Sequence, residues 1–205
     1  MNTDINIVFL GDSFTQRTGV KYAGNPEKRF STHYTGSYAE HVMKRLFVHF
    51  TEKNFRFYNK GKSGDTTCDL LKRYDKDVQD LEADIVVLLI GHNDAKKKLY
   101  DEFMQDYSNL IHKLEESDIQ IISLSILPVR NNGEQNKKIV QFNKGIHELA
   151  KAEGYLYLDL FEYFNQVLEN EADKKINLYE ETMQLSELGN LYIADRVYDT
   201  IADII

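Results

Sequence analysis

Residues 84–94, DIVVLLIGHND, decide the fold class of this chain. The unbroken apolar run from Ile85 to Ile90 predicts a strand that is buried on both faces, because a half-exposed strand would alternate apolar and polar side chains. The run ends in the polar turn Gly91-His92-Asn93-Asp94. Strands of this kind occur in parallel sheets that carry helices on both sides, so the segment predicts an α/β protein.

The rest of the chain alternates short apolar runs with longer amphipathic ones. The predicted strands are Ile5–Leu10, Phe55–Asn59, Asp84–Ile90, Gln120–Leu127 and Tyr155–Leu160. The predicted helices are Ser37–Phe50, Thr66–Leu81, Leu99–Glu116, Glu134–Glu153 and Ser186–Ile205, with a possible short helix at Phe161–Glu171. Strict alternation with right-handed crossovers predicts a three-layer α/β/α sandwich, built on a flavodoxin-like five-stranded parallel sheet in the order 2-1-3-4-5.

Length and composition favour one globular domain over residues 1–205. With 42% hydrophobic residues, a chain of 205 residues buries enough apolar surface to fold without disulfides or metals. The formal charge is −8 and there is no long Lys/Arg run, so we expect no nucleic-acid partner. Cys68 is the single cysteine, and no stretch resembles a signal peptide or a membrane span. We therefore expect a cytoplasmic protein without a membrane partner.

Three glycine-containing turns follow the first three predicted strands. They are Gly11-Asp12-Ser13, Asn59-Lys60-Gly61 and Gly91-His92-Asn93-Asp94. In the order 2-1-3 the carboxyl ends of these strands are neighbours, and ligands of open α/β sheets bind at that edge. Each turn could also be a simple turn or helix cap. Their convergence predicts a site.

Other site classes lack their residues. Gly61-Lys62-Ser63 resembles the end of a phosphate-binding loop, but Arg56 stands where that motif begins with glycine. No GxGxxG is present, and His147-Glu148 is not a zinc-protease motif because Lys151 stands where the second histidine belongs. An acyl-transfer site fits all three turns: Ser13 can attack an acyl carbon, and the Ser13 and Gly61 amides with the Asn93 side chain can stabilise the oxyanion.

With these three motifs the chain resembles the SGNH hydrolases, the GDSL esterase and acylhydrolase family. GDSFTQ resembles the first block of that family, NKGKSGDTTCDLLKR the second and LIGHND the third. The resemblance implies the flavodoxin-like sandwich, Ser13 as nucleophile and an oxyanion hole from Ser13, Gly61 and Asn93. It implies no cofactor, and it implies a small-molecule acyl ester or acetylated sugar as substrate.

The fifth block departs from the family pattern Asp-x-x-His. Aligning LSELG, residues 185–189, with that block places Glu181 at the aspartate position and Gln184 at the histidine position. A serine hydroxyl needs a neighbouring base to take its proton, and a neutral amide cannot do so. In a serine protease, loss of the histidine lowers turnover by roughly 10⁶. We therefore expect ordinary triad catalysis to be severely impaired.

Three hypotheses follow from this departure. The chain is an ester hydrolase that uses a substitute base, for which His33 in the long loop after Ser13 and His92 beside Asn93 are the candidates. Alternatively, it is a binding or regulatory module that has lost turnover. In the third hypothesis, Gln184 is a change introduced into an active sequence. Ester hydrolysis by variants at Ser13 and Gln184 separates the first hypothesis from the other two.

Overall fold

The computed structural model describes residues 4–16, 36–130, 132–169, 177–180 and 184–205, in which five strands alternate with seven helices. The strands are β1 (Ile5–Gly11), β2 (Phe55–Gly61), β3 (Ile85–Leu89), β4 (Gln120–Leu124) and β5 (Leu156–Leu158). The helices are α1 (Tyr38–His49), α2 (Thr67–Asp77), α3 (His92–Lys97), α4 (Tyr100–Glu115), α5 (Gly133–Glu153), α6 (Phe161–Glu169) and α7 (Glu187–Ala202), with a 3₁₀ turn at Gln79–Leu81.

All five strands are parallel, and their order in the sheet is β2-β1-β3-β4-β5. This confirms the predicted flavodoxin-like order. In the register of the sheet, Gly11 at the end of β1 stands between Gly61 of β2 and Leu89 of β3. The carboxyl ends of the three strands therefore meet at one edge, as the predicted site requires.

Alternate side chains of β1 enter two separate hydrophobic cores. Ile7 and Phe9 pack on one face of the sheet with apolar residues of α1, α6 and α7. Val8 and Leu10 pack on the other face with residues of α2, α4 and α5. All four side chains are essentially inaccessible to solvent. The fold is thus a three-layer sandwich, in which burial of the two faces of the sheet supplies the main stabilising term.

Two helix starts are set by local side-chain hydrogen bonds. At α2, Thr66 and Asp69 form a capping box in which the Asp69 carboxylate accepts from the Thr66 amide at 3.0 Å. At α7, the Ser186 hydroxyl oxygen accepts from the Gly189 amide at 3.1 Å. The second cap holds the predicted fifth block at the start of the last helix.

Several boundaries differ from the sequence prediction: α2 ends at Asp77 and not at Leu81, and β5 spans only Leu156–Leu158 of the predicted Tyr155–Leu160. The turn after β3 continues directly into the short helix α3, so Asn93 lies in its first turn. Strand β4 ends at Leu124 and not at Leu127, because the Asn143 side chain of α5 takes over the pairing. Its amide accepts from the Ile126 N–H at 2.8 Å and donates to the Ile126 carbonyl at 2.9 Å.

A search of the described residues for membrane-spanning helices found none with the length and apolar character that such a span requires.

Candidate active site

Hydrogen bonds join the ends of β1 and β2 at the predicted edge. The Lys62 N–H donates to the carbonyl of Gly11 at 3.1 Å. The Asn59 side chain donates to the carbonyl of Thr15 at 2.8 Å. These contacts hold the turn after β1 against the loop after β2, so residues from both segments face the same edge of the sheet.

Ser13 lies in a tight turn at the end of β1. The Asp12 carbonyl accepts from the amides of Thr15, at 3.2 Å, and Gln16, at 2.9 Å, and the Asp12 carboxylate accepts from the Phe14 amide at 3.0 Å. Ser13 is half-buried between these groups, and its hydroxyl makes no hydrogen bond to any described residue. The turn therefore leaves the predicted nucleophile accessible at the strand end.

Asn93 brings its side-chain amide to the same place from α3. Its Nδ2 donates to the carbonyl of Asp65 at 2.9 Å and lies 3.4 Å from Oδ2 of Asp12. The second contact is longer than an ordinary N–H···O bond, so one N–H of Asn93 is only weakly held. That N–H can turn toward an oxyanion formed beside Ser13.

The amide of Gly61, which is predicted to donate to an oxyanion, has a hydrogen-bond partner within the protein. Its N–H donates to the Asn59 side-chain oxygen at 3.0 Å, so the amide already has a partner inside the protein. A Cβ at this position would collide with the backbone of Thr15 and Gln16. Glycine is therefore needed at position 61 for the close approach of the two loops.

Gly64, three residues further on, has the properties predicted for Gly61. The Ser63 amide donates to Gln16 Oε1 at 2.9 Å and the Asp65 amide to the Lys62 carbonyl at 3.2 Å, whereas the Gly64 N–H has no partner among the described residues. Its φ of +86° lies in the left-handed region that favours glycine. The available signal in the sequence was a glycine two residues before Thr66, the N-cap of the helix that follows β2.

The carboxyl group of Asp12 is buried beside the nucleophile, and its pKa is raised to about 7. Desolvation is the largest cause, and the nearby charges of Asp94 and Asp65 add to it. The Phe14 amide and the charge of Lys96 act in the opposite direction. Near neutral pH this carboxyl group is therefore present in both its protonated and its ionised form. Its Oδ2 lies 3.4 Å from Asn93 Nδ2.

His92 is close to the site but forms no hydrogen bond to Ser13 among the described residues. Its ring packs edge-on against Phe14, with 5.0 Å between ring centroids, and burial lowers its pKa to about 4, helped by the charge of Lys96. Its Nδ1 is buried without a hydrogen-bond partner, and within the described segments no hydrogen bond joins His92 to Ser13. His92 is thus a neutral packing residue at pH 7, and the geometry does not support it as a substitute base.

The segment before α7 lies beside the turn that carries Ser13. The ring of Tyr179 is 6.5 Å from that of Phe14, and its hydroxyl donates to the Pro128 carbonyl at 2.8 Å. The Glu180 N–H donates to the carbonyl of Gln184 at 2.8 Å, which closes the loop on itself. Tyr179, on the amino-terminal side of this loop, therefore lies beside the residue that follows Ser13.

Gln184 is half-buried at the end of that loop, directly before Leu185, which pairs with Tyr179 in an isolated antiparallel bridge. Glu181 and His33, the other residues predicted to supply or replace a base, lie outside the described residues. The described part of the loop thus contains an amide side chain at position 184 and no imidazole.

Arg73 ties together the segments that carry the site. From α2 its guanidinium donates to the Asp65 carboxylate at 2.8 Å and to the carbonyls of Lys60, at 2.8 Å, and Gly11, at 3.2 Å. It also pairs with Asp77 one turn along the helix. Sequence reasoning did not identify this residue, because its partners are far apart in the chain and only the tertiary structure brings them together.

One group of possible metal ligands exists among the described residues, and it lies away from Ser13. His112, Glu115 and Glu153 have ligand atoms within 4.8 Å of one another. They stand at the carboxyl ends of α4 and α5, at the edge where strands β4 and β5 begin. The group is therefore separate from the candidate active site.

Comparisons with known proteins agree with the geometry. The family model described as GDSL-like lipase/acylhydrolase matches residues 9–184. An acetylxylan esterase from Geobacillus stearothermophilus is 27% identical over 175 residues, which are 79% of this chain and 78% of that protein.

Two solved structures share the fold. The crystal structure of the acetyl xylan esterase AlAXEase superimposes with a TM-score of 0.78 at 24% identity, over 96% of this chain and 100% of that one. The structure of Axe2, an acetylxylan esterase from Geobacillus stearothermophilus, gives a TM-score of 0.76 at 23% identity, over 96% and 94% of the two chains.

Proposed function

Because the chain belongs to the GDSL-like lipase/acylhydrolase family, we propose that it acts on carboxylic esters, namely small acyl or acetyl esters, through Ser13 as nucleophile. The observation that carries this proposal is the approach of Asn93 Nδ2 to within 3.4 Å of the carboxylate of Asp12, the residue directly before Ser13. The similarity to acetylxylan esterases supports an acetylated saccharide as the substrate. No residue of the proposed site is a metal ligand in this mechanism.

In the proposed reaction the Ser13 hydroxyl oxygen attacks the acyl carbon, and its proton passes to water, which returns a proton to the alkoxide as the alcohol leaves. The carbonyl oxygen becomes an oxyanion that accepts hydrogen bonds from the Ser13 N–H, the Gly64 N–H and Asn93 Nδ2. Gly64 takes the place predicted for Gly61, because the Gly61 N–H is held by Asn59. Expulsion of the alcohol leaves an acyl-serine ester, which water hydrolyses to release the acid.

Within the described residues, the proposed site lacks an evident base to remove the proton of the Ser13 hydroxyl. Gln184 stands where the family places a histidine, and an amide cannot act as a general base at neutral pH. By analogy with serine proteases, the oxyanion hole and substrate binding alone leave roughly 10³ to 10⁴ of acceleration over water. We therefore propose an ester hydrolase of low turnover.

A second candidate function is supported by the same residue. A module that binds acylated ligands without hydrolysing them would keep the oxyanion donors and could use the Gln184 amide as a hydrogen-bonding group. The finding that His92 is neutral and packed against Phe14 also favours this alternative.

The rate of 4-nitrophenyl acetate hydrolysis distinguishes these functions. We expect a slow rate in the unaltered chain that Ser13→Ala abolishes, and a rise of at least about 100-fold in Gln184→His or in the double variant Glu181→Asp/Gln184→His. When Ser13→Ala is added to the Gln184→His variant, the rate of hydrolysis should return to background.

Other results would revise the proposal. A fast, Ser13-dependent rate in the unaltered chain would indicate a substitute base, which His33→Ala and His92→Ala would then locate. If Ser13→Ala leaves the slow rate unchanged both in the unaltered chain and in the Gln184→His variant, Ser13 is not the nucleophile. If the chain binds acetylated oligosaccharides but shows no Ser13-dependent turnover, the second candidate function, a binding module, is supported.

A further inference from the structure

A polar groove runs beside the candidate active site, between α3 and the first turns of α5. Its volume is about 390 Å³, and its lining includes Lys96 of α3 and Lys137 and Lys138 of α5. Amide side chains of Asn132 and Gln135 also line it. A volume of this order is typical of pockets that bind small ligands.

The charges in this groove are mainly positive although the whole chain carries −8. Its lysines face a single carboxylate, that of Glu134, which pairs with Lys137 at 2.9 Å. Lys96 and Lys138 form no ion pair with any residue in the described ranges. Two ammonium groups are therefore left to attract an anion, in a protein whose overall charge would repel one.

The groove is lined by the same helix, α3, that carries Asn93 of the candidate active site. Lys96 lies one turn after Asn93 on α3. Gln135, which lines the groove, donates from Nε2 to the His92 carbonyl at 3.2 Å. The charge of Lys96 acts on the pKa of both Asp12 and His92, so it reaches the end of β1. A ligand in the groove would therefore contact the helix that also carries Asn93.

We propose that this groove binds a carboxylate-bearing sugar, such as a uronate unit, belonging to the same saccharide whose acyl ester lies at Ser13. This inference rests on the proposed function, since it names the class of saccharide that the site prefers. Lysine ammonium groups donate to carboxylate oxygens, and amide side chains both donate to and accept from sugar hydroxyls. The groove therefore matches the two kinds of polar group that a uronate unit carries.

The expected effect is moderate because the lysines are exposed. Lys96→Gln and Lys138→Gln should each weaken binding of a uronate-bearing oligosaccharide by about 3-fold, and the double variant by about 10-fold. The preference should also fall at high salt, since screening shortens the reach of exposed charges to about 3 Å at 1 M ionic strength. Glu134→Gln should tighten binding by about 2-fold, because it removes the carboxylate that competes for Lys137.

Binding of oligosaccharides without acetyl groups provides the test, because no turnover is needed. Calorimetry would compare a uronate-bearing xylo-oligosaccharide with a neutral one of the same length, using the unaltered chain and the Lys96→Gln/Lys138→Gln variant. Lys144→Gln is the matched control, since Lys144 is an exposed lysine on α5 outside the groove. We expect tighter binding of the uronate-bearing ligand, lost in the double variant and kept in the control.

Three results would overturn the inference: equal affinity for the two ligands, a preference that the double variant retains, or binding of neither at millimolar concentration. Binding of inorganic phosphate or free glucuronate with the same affinity as the uronate-bearing oligosaccharide would also overturn it, because the saccharide would then contribute nothing. The proposed function fails separately, through the absence of Ser13-dependent ester hydrolysis, which leaves the outcome of this binding experiment unaffected.

Discussion

The side chain of Asn93 donates to the backbone carbonyl of Asp65, 2.9 Å away. This bond joins the start of α3 to the loop that leads into α2, and it fixes one of the two N–H groups of the amide. The other lies 3.4 Å from the Asp12 carboxylate and is only weakly engaged. Asn93 is therefore held in place and still has a donor to offer.

Removal of the Asn93 amide should lower turnover more than stability. We expect Asn93→Ala to reduce kcat for 4-nitrophenyl acetate by about 10²-fold to 10³-fold in the Gln184→His background, as loss of one oxyanion donor does. Asn6→Ala is a matched control, because Asn6 uses its side chain at the opposite end of β1, where it donates to the Glu82 carbonyl at 2.9 Å. An equal loss of kcat in both variants would contradict a catalytic role for Asn93.

The two glycine amides can be separated by replacing one backbone N–H with an ester oxygen. With glycolic acid incorporated at position 64, we expect kcat to fall by about 10²-fold while the melting temperature changes little, because that N–H has no partner among the described residues. At position 61 we expect the reverse, since that N–H bonds to Asn59. A fall in kcat confined to position 61 would restore Gly61 as the oxyanion donor.

Asp12 should make the folded state more stable as the pH falls. Its pKa of about 7 in the folded protein exceeds its ordinary value of 3.8, so between these values the folded state binds more protons than the unfolded state. The free energy of unfolding gains up to roughly 4 kcal/mol from this residue as the pH falls from 7 to 4. Urea unfolding of Asp12→Asn should show that gain missing.

His92 should have the opposite influence over an overlapping range. Its pKa of about 4 lies below the ordinary 6.5, so the unfolded state binds more protons and stability falls by up to roughly 3 kcal/mol as the pH falls from 6.5 to 4. In His92→Asn we expect stability to fall less on acidification than in the unaltered chain. Identical pH profiles for the unaltered chain and both variants would contradict the assigned burial of these groups.

Arg73 should be the most important charged residue for stability near the site. Its side chain is 16% exposed and those of its partners Asp65 and Asp77 are 9% and 12% exposed. We expect Arg73→Met to lower the free energy of unfolding by about 3 to 5 kcal/mol, because it leaves the buried Asp65 carboxylate without its partner, although Asp77 keeps Lys60 at 3.1 Å. Lys144→Met removes an exposed pair and should change it by less than about 1 kcal/mol. Similar urea midpoints for the two variants would contradict the assignment.

The order of elements could be predicted because it depends on local patterns. The apolar run at Ile85–Ile90 requires burial on both faces wherever it is placed, and the alternation of such runs with helices leaves few topologies. Strand β4 was predicted too long because its end depends on a contact between residues that are distant in the sequence. The Asn143 side chain, which replaces the ladder at Ile126, comes from a helix that begins later in the chain.

The amino-acid sequence by itself determined the fold class and the turns that meet at the sheet edge, and it predicted that Gln184 stands where the family has a histidine. Each of these depends on residue identity and spacing along the chain. Only the tertiary structure decided that the Gly61 amide is occupied, that the Gly64 amide is not, and that His92 packs against Phe14. Hydrogen-bond partners and burial are set by segments distant in sequence, so no local pattern specifies them.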